Sequence, residues 1–404
     1  MDLKSGYPYW IVKNGLLGAF PTLRADRHCD VLVVGAGITG ALIADRLSGT
    51  GLDVCVIDRR EAAWGSTSAS TGLLQYEIDT ELQELCNRFG EADAVLAYRS
   101  CEKAVTALVR LARQLGGIDV RRMRSLYYAS HWYHRSRLLS EAKLRGAHGF
   151  GLRVLDAAQT RERFGIDAAV SLLTTIAAEV DPYQMARRLL RRVVRRGGHV
   201  YDRTAMAAFH ARRGGVDVEL AEGRTIRCRH LVLAAGYEGQ HHLAQSVAHN
   251  RSSYAFVSEP VEGGLGALRD CLVWESARPY LYVRSTRDGR LIVGGEDDRI
   301  DIPIRRDASV ARKAARLRDR IQHVVQGLSI EPAFAWAGTF AETRDGLPFF
   351  GPHEQHGPRV HFAMAYGGNG ITYSLIGSEI LAASLHGRSH PCAELFSFTR
   401  LDQR

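Results

Sequence analysis

At 404 residues, with 46% apolar and 24% charged side chains, the chain has the composition of an average globular protein and the length for two domains around a large core. No apolar run approaches the roughly 18 residues of a membrane-spanning helix, so that class is excluded and a soluble protein is expected. The formal charge of +9 raises the question of nucleic-acid binding, which the placement of the arginines addresses below.

The first residues, MDLKSGYPYWIVKNGLLGAF, lack the continuous apolar segment and small-residue cleavage site of an export signal. The seven cysteines are scattered, odd in number and free of CxxC spacing, which argues against a disulfide framework or a zinc site. A reducing cytoplasm is the expected location. The run DVLVVGAGITGALIADRLSGTGLDVCVID, from Asp30 to Asp58, reads as a buried strand, a glycine turn, a helix and a second buried strand. Gly35, Gly37 and Gly40 fit G-x-G-x-x-G in the setting that gives it meaning: a tight turn, close approach to a pyrophosphate, and close helix–strand packing. Ile38 and Thr39 then begin a helix whose amides would face the phosphates. Asp58 closes the second strand 18 residues after Gly40, where a carboxylate would bind a ribose hydroxyl pair. Arg59 and Arg60 beside it leave NADP open at this point.

Next comes WGSTSASTGLLQYE, from Trp64 to Glu77, a loop of hydroxyl donors where an NAD-binding domain would continue into another crossover helix. In VDPYQMARRLL, Asp181 is the expected helix N-cap with Pro182 in the first turn. The arginine pairs of ARRLLRRVVRRGG alternate with Leu189, Leu190, Val193 and Val194, the pattern of one buried and one solvated face. No aromatic residues interleave with them as base stacking would require, so no nucleic-acid partner is expected. IRCRHLVLAAGYEG is a buried strand ending in the small residues Ala234, Ala235 and Gly236; His241 and His242 follow as loop residues. RPYLYVRSTRDGRLIVGG is a hairpin turning at Arg287, Asp288 and Gly289, with Tyr280 and Tyr282 on one face. Finally AYGGNGIT brings a second glycine cluster, Gly367, Gly368 and Gly370, ahead of an apolar helix.

These segments resemble the D-amino-acid oxidase superfamily of FAD-dependent oxidoreductases, the group with glycine oxidase and monomeric sarcosine oxidase. The markers are the glycine loop with Asp58, GSTSAST (nearer G-A-S-G-R-N-G in the family), LVLAAG, DGLPFFG at 345–351, and GGNGIT, and the likeness covers nearly the whole chain. It implies an α/β fold: a Rossmann-like FAD-binding domain of the glutathione-reductase type at 1–80, 181–250 and 334–404, interleaved with an antiparallel-sheet substrate domain at 81–180 and 251–333. It extends the expected FAD contacts to Arg59, Ser66, Thr67, Ser68, Thr71, Gly72, Leu73, Leu74, Met206, Gly338 and Gly346. It also places Gly368, Asn369, Gly370, Ile371 and Thr372 along the flavin ring, where a helix N-terminus stabilises the negative charge of the reduced state.

Three departures shape the functional reading. The family's carboxylate-binding arginine falls on Phe340, so the substrate is either not anchored as a free α-amino acid or is held by another arginine such as Arg344, Arg278 or Arg284. The position of the flavin-linking cysteine of monomeric sarcosine oxidase falls on Gly338, which implies non-covalent FAD. Its oxygen-activating lysine falls near Ile292, which leaves the electron acceptor open. Tyr280, Tyr282, Phe340, Arg344 and Glu77 are the pocket candidates, with Trp336 nearby and Gln75 beside Glu77; no general base is named. The implied reaction is oxidation of a C–N bond in a small amine or amino-acid-like substrate by hydride transfer to flavin N5, followed by imine hydrolysis, with molecular oxygen or another acceptor. Competing readings are an FAD dehydrogenase serving a quinone or protein acceptor, a tRNA-modifying flavin domain, and a non-catalytic flavoprotein.

Overall fold

The computed structural model describes residues 2–299 and 301–401. The strand Arg27–Val34 ends in four consecutive apolar residues because it runs in the middle of a sheet covered on both faces. Val31 and Val33 point into one core cluster, Leu32 and Val34 into another on the opposite face. The order across this sheet is Phe349–Pro352, Val360–Met364, Thr225–Leu233, Arg27–Val34, Val54–Ile57 and His199–Tyr201. All pairs are parallel except the first, and the hairpin of Met206–Arg212 and Gly215–Leu220 joins through Thr225–Leu233. The helix Ile38–Ser48 lies on it, packed between Pro182–Arg195 and Gly370–Leu385.

Asp181 caps the helix Pro182–Arg195 by accepting the Gln184 amide at 2.9 Å, with Pro182 in the first turn. The arginine-rich face is less uniform than the alternation suggests. Val194 is exposed, whereas Arg187 is buried and donates to the backbone oxygens of Leu17 and Gly18. Arg192 pairs with Asp45 of the neighbouring helix at 2.5 Å. Arg191 donates to the Leu17 carbonyl and Arg196 to Asp45, so four of the six arginines between 187 and 196 bind within the protein.

A second sheet faces the first. Its order is Lys4–Gly6, Pro332–Thr343, Ala248–Ser258, Leu291–Asp298, Leu281–Ser285, Cys271–Glu275, Val120–Tyr128, Val170–Val180 and Leu73–Gln75, with Leu152–Asp156 alongside Val170–Val180. Every pair is antiparallel except Cys271–Glu275 with Val120–Tyr128. Lys4–Gly6 and Leu73–Gln75 thus sit in this sheet, and Pro332–Thr343 runs across the 333/334 border drawn from the sequence. The helix Pro303–Val324 covers one face through Ala314, Leu317 and Ile321. The other face carries Ala255, Val257, Ile292 and Trp336 toward the first sheet's helices. The structure is α/β, a Rossmann-like, mostly parallel sheet joined to a largely antiparallel one. No helix among the described residues is long and apolar enough to cross a membrane.

Candidate active site

A cavity of about 490 Å³ lies where the two sheets meet. Its nucleotide end is built by the first glycine loop. Gly35 has φ +115°, and a Cβ there would overlap the Ala234 carbonyl oxygen of the adjacent strand end. A Cβ on Gly37 would lie 3.0 Å from Thr67 Oγ1, the same oxygen that accepts the Ile38 amide at 2.9 Å. Gly35, Gly37, Ile38 and Thr39 line the cavity, and Gly40 lies behind them, pressed on the Gly35 carbonyl. Asp58 accepts the amides of Ala36 at 2.7 Å and Arg60 at 2.8 Å, which hold its carboxylate at the cavity wall. Burial pushes its carboxyl above the ordinary range, opposed by those two amides. Arg59 and Arg60 both pair with Glu238 across this end, Arg60 at 3.3 Å.

The hydroxyl loop forms a short turn of helix at Ser66–Ala69. Ser66 and Thr67 face the cavity, as do Thr71 and Leu73. Ser66 Oγ is buried without a hydrogen-bond partner, a donor waiting on a cavity wall beside the glycine loop. Three expected contacts point elsewhere. Ser68 donates back to the carbonyls of Trp64 and Gly65, Gly72 packs on the Val180 carbonyl, and Leu74 is fully buried because strand alternation turns it away from Leu73. Met206, Ala234, Ala235 and Gly236 complete this part of the wall.

The second glycine cluster closes the other end. Gly368, Asn369, Gly370 and Ile371 line the cavity at the start of the helix Gly370–Leu385. Asn369 Nδ2 donates to the carbonyls of Gln75 at 3.1 Å and Glu77 at 2.9 Å, tying this helix start to the strand after the hydroxyl loop. The Gly368 amide donates to Asp79 at 2.8 Å. Thr372 is buried one position beyond the lining residues, and Gly346 forms a turn whose carbonyl accepts the Tyr373 hydroxyl, away from the cavity.

Tyr280, Tyr282, Phe340 and Gly338 border this end, joined by Trp274 and Trp336. The rings of Tyr280 and Tyr282 lie 5.8 Å apart, and Trp274 stacks on Tyr127 at 3.9 Å. Two candidates are not brought here. Arg344 is exposed, and Glu77 is fully buried beneath the site, where Thr174 donates to it at 2.9 Å and burial raises its carboxyl. Arg284 is locked to Glu179 at 2.9 Å and to the Thr71 carbonyl. Arg278 pairs with Glu342 at 3.5 Å and lies over the Tyr280 ring. The arginines lining the cavity, Arg59 and Arg60, stand at the nucleotide end. Asp79, Ser253 and Trp274 are lining residues the sequence reading missed; each sits in an ordinary strand or loop context with no motif around it.

Two helix N-termini open onto one cavity, with a glycine cradle and an unpaired hydroxyl at one of them, and this donor set fits a long dinucleotide. The model of the FAD-dependent oxidoreductase family called DAO matches residues 30–384. The chain belongs to that family. Glycine oxidase of Bacillus licheniformis is 24% identical over 373 residues, covering 89% of this chain and 94% of its relative. Gamma-glutamylputrescine oxidoreductase of Escherichia coli K12 is 23% identical, covering 94% and 88%. In fold, the DAO chain is similar to glycine oxidase from Geobacillus kaustophilus, with TM-score 0.78, 19% identity, and coverage of 93% and 99%. The protein is an FAD-dependent oxidoreductase, and the residues at both ends of the cavity suit FAD on the geometry given above.

Proposed function

We propose that the protein oxidises a C–N bond of an amine or amino-acid-like substrate, with FAD held non-covalently along the cavity. The observation that carries this reading is the aromatic box of Trp274, Tyr280, Tyr282 and Phe340 beside the second helix N-terminus. Bound FAD would supply the hydride acceptor for the carbon next to the nitrogen. The box excludes water and favours a neutral amine over its cation at the reacting position. The N-terminus at Gly370 and Ile371 offers partial positive charge to whatever anion develops there. Gly338 has no side chain to link a flavin, and none of the seven cysteines lines the cavity, which supports non-covalent binding. The names of the curated relatives, glycine oxidase and gamma-glutamylputrescine oxidoreductase, fit the same chemistry.

The test is anaerobic mixing of the purified flavoprotein with amines, N-methylated amino acids and D- and L-amino acids, followed at the visible flavin band. Bleaching by one of these classes is the expected result, and a band unmoved by all of them overturns the proposal. Reoxidation of the bleached enzyme by oxygen, compared with a quinone, then assigns the acceptor.

A further inference from the structure

The strand Leu291–Asp298 breaks its own alternation. Ile292 and Gly294 face the cavity side, but opposite Ser252 and Tyr254 the register slips by one residue, with Glu296 at φ +54°. This bulge sends Glu296 and Asp298 to the helix side, where both pair with Lys313, and brings Asp297 against Ser253, a cavity-lining residue. Asp297 Oδ1 is shut off from solvent and has no hydrogen-bond partner. Asp79 lines the cavity beside it, and Glu342 of the strand Pro332–Thr343 completes a carboxylate triad. The opposing charges are Arg278, shared between Glu342 and the Asp79 carbonyl, and Arg251, bound to Glu342 at 2.6 Å. Once Asp297 is ionised, three carboxylates against two guanidiniums leave one uncompensated negative charge, which one ammonium group would neutralise.

We propose that Asp79, backed by the carboxylates of Asp297 and Glu342, holds a second cationic group of the substrate, remote from the amine that reacts. Resting on the amine-oxidation reading, this makes the preferred substrate a diamine-like molecule without an α-carboxylate. The reacting nitrogen enters the aromatic box neutral, while the distant ammonium stays charged at the acidic wall. The same arrangement accounts for Phe340 where a carboxylate-binding arginine would stand: an arginine there would bring a third guanidinium to the triad and cancel its net charge. Burial and the neighbouring carboxylates push the Asp297 carboxyl up to about 7, with Ser253 and Arg278 opposing, so the grip on a cation strengthens as pH rises through neutrality.

The experiment compares 1,4-diaminobutane, butylamine and 4-aminobutanoate, three ligands of one chain length, by calorimetric titration of the anaerobic holoenzyme and by flavin bleaching. The diamine is expected to bind at least about tenfold tighter than butylamine at pH 8, and 4-aminobutanoate weakest. The diamine advantage should shrink as pH falls to 6, and Asp297→Asn should bring the ratio to within about threefold at pH 8. If that variant fails to retain flavin, Glu342→Gln removes a charge from the outer side of the triad and must narrow the ratio likewise. Equal or tighter binding of 4-aminobutanoate, or an advantage that survives the substitution, overturns the inference. Tight diamine binding without bleaching would leave the cation site standing and remove the amine-oxidation reading. Bleaching by butylamine with no diamine preference would do the reverse.

Discussion

Gly35 cannot carry a side chain without moving the neighbouring strand, since its Cβ would overlap the Ala234 carbonyl oxygen and its φ of +115° strains any L-residue. Gly35→Ala is therefore expected to lose at least about 2 kcal/mol of stability and most of its bound flavin, measured by denaturant unfolding and by flavin absorbance per chain. A variant that unfolds at the parent midpoint with full flavin would refute the packing argument. At Asp297 the effect runs the other way. Its carboxyl holds a proton up to about pH 7 in the folded chain but ionises near its ordinary 3.8 when unfolded, so the folded state binds more protons between those values and loses stability as pH rises through them. Asp297→Asn removes that penalty, at most about 4 kcal/mol, and should raise the melting temperature at pH 8 with the gain vanishing toward pH 4. A constant difference across that range would show that the group does not titrate as described. These two residues also mark what the sequence discloses. Gly35 is legible because steric need, not context, fixes glycine there, whereas Asp297 reaches the cavity-lining Ser253 only through a one-residue bulge that no alternation pattern announces.

Among the elements, the helix Gly370–Leu385 was legible as an apolar run but not in its depth. It is buried along most of its length, between the helix Ile38–Ser48, the helix Glu91–Leu115 and the strand Phe349–Pro352. Gly377 lets it approach: a Cβ there would overlap the Phe350 ring. Because both flanking surfaces are packed, Gly377→Ala is expected to cost about 1–3 kcal/mol, and the same denaturant series checks it. The displacement would reach the helix start, where Asn369 bridges to Gln75 and Glu77, so weaker flavin retention should accompany the loss. Full stability would mean that Phe350 rotates freely, contrary to its 1% exposure. Glu77 shows how element context misleads. Its place after the hydroxyl loop pointed to the substrate, yet its backbone carbonyl is what supports Asn369 while its side chain turns into the core with Arg145.

At the scale of the molecule, the cavity is assembled from Leu3 and five separated stretches, near 34–39, 58–79, 204–242, 253–282 and 336–371, drawn from both sheets. Glycine motifs mark the first and last of these stretches in the sequence, and the family resemblance supplied Asp58, the hydroxyl loop, Ala234 to Gly236 and the pair Tyr280 and Tyr282 between them. Asp79, Ser253 and Trp274 were not legible, since their place on the wall depends on how one sheet meets the other. This interleaving has a thermodynamic consequence. A ligand that touches both sheets and binds only the folded chain stabilises them together, by an amount that grows as RT ln(1 + [L]/Kd), about 2.7 kcal/mol at a hundredfold excess over Kd. The holoprotein should therefore unfold in one transition seen alike by flavin fluorescence and far-ultraviolet circular dichroism, and stripping the flavin should lower its midpoint by several degrees. Adding FAD back should restore that midpoint in proportion to the logarithm of its concentration. If instead the flavin signal melted first and the circular dichroism later at an FAD-independent temperature, the two sheets would be separate folding units, with the cofactor coupled to only one of them.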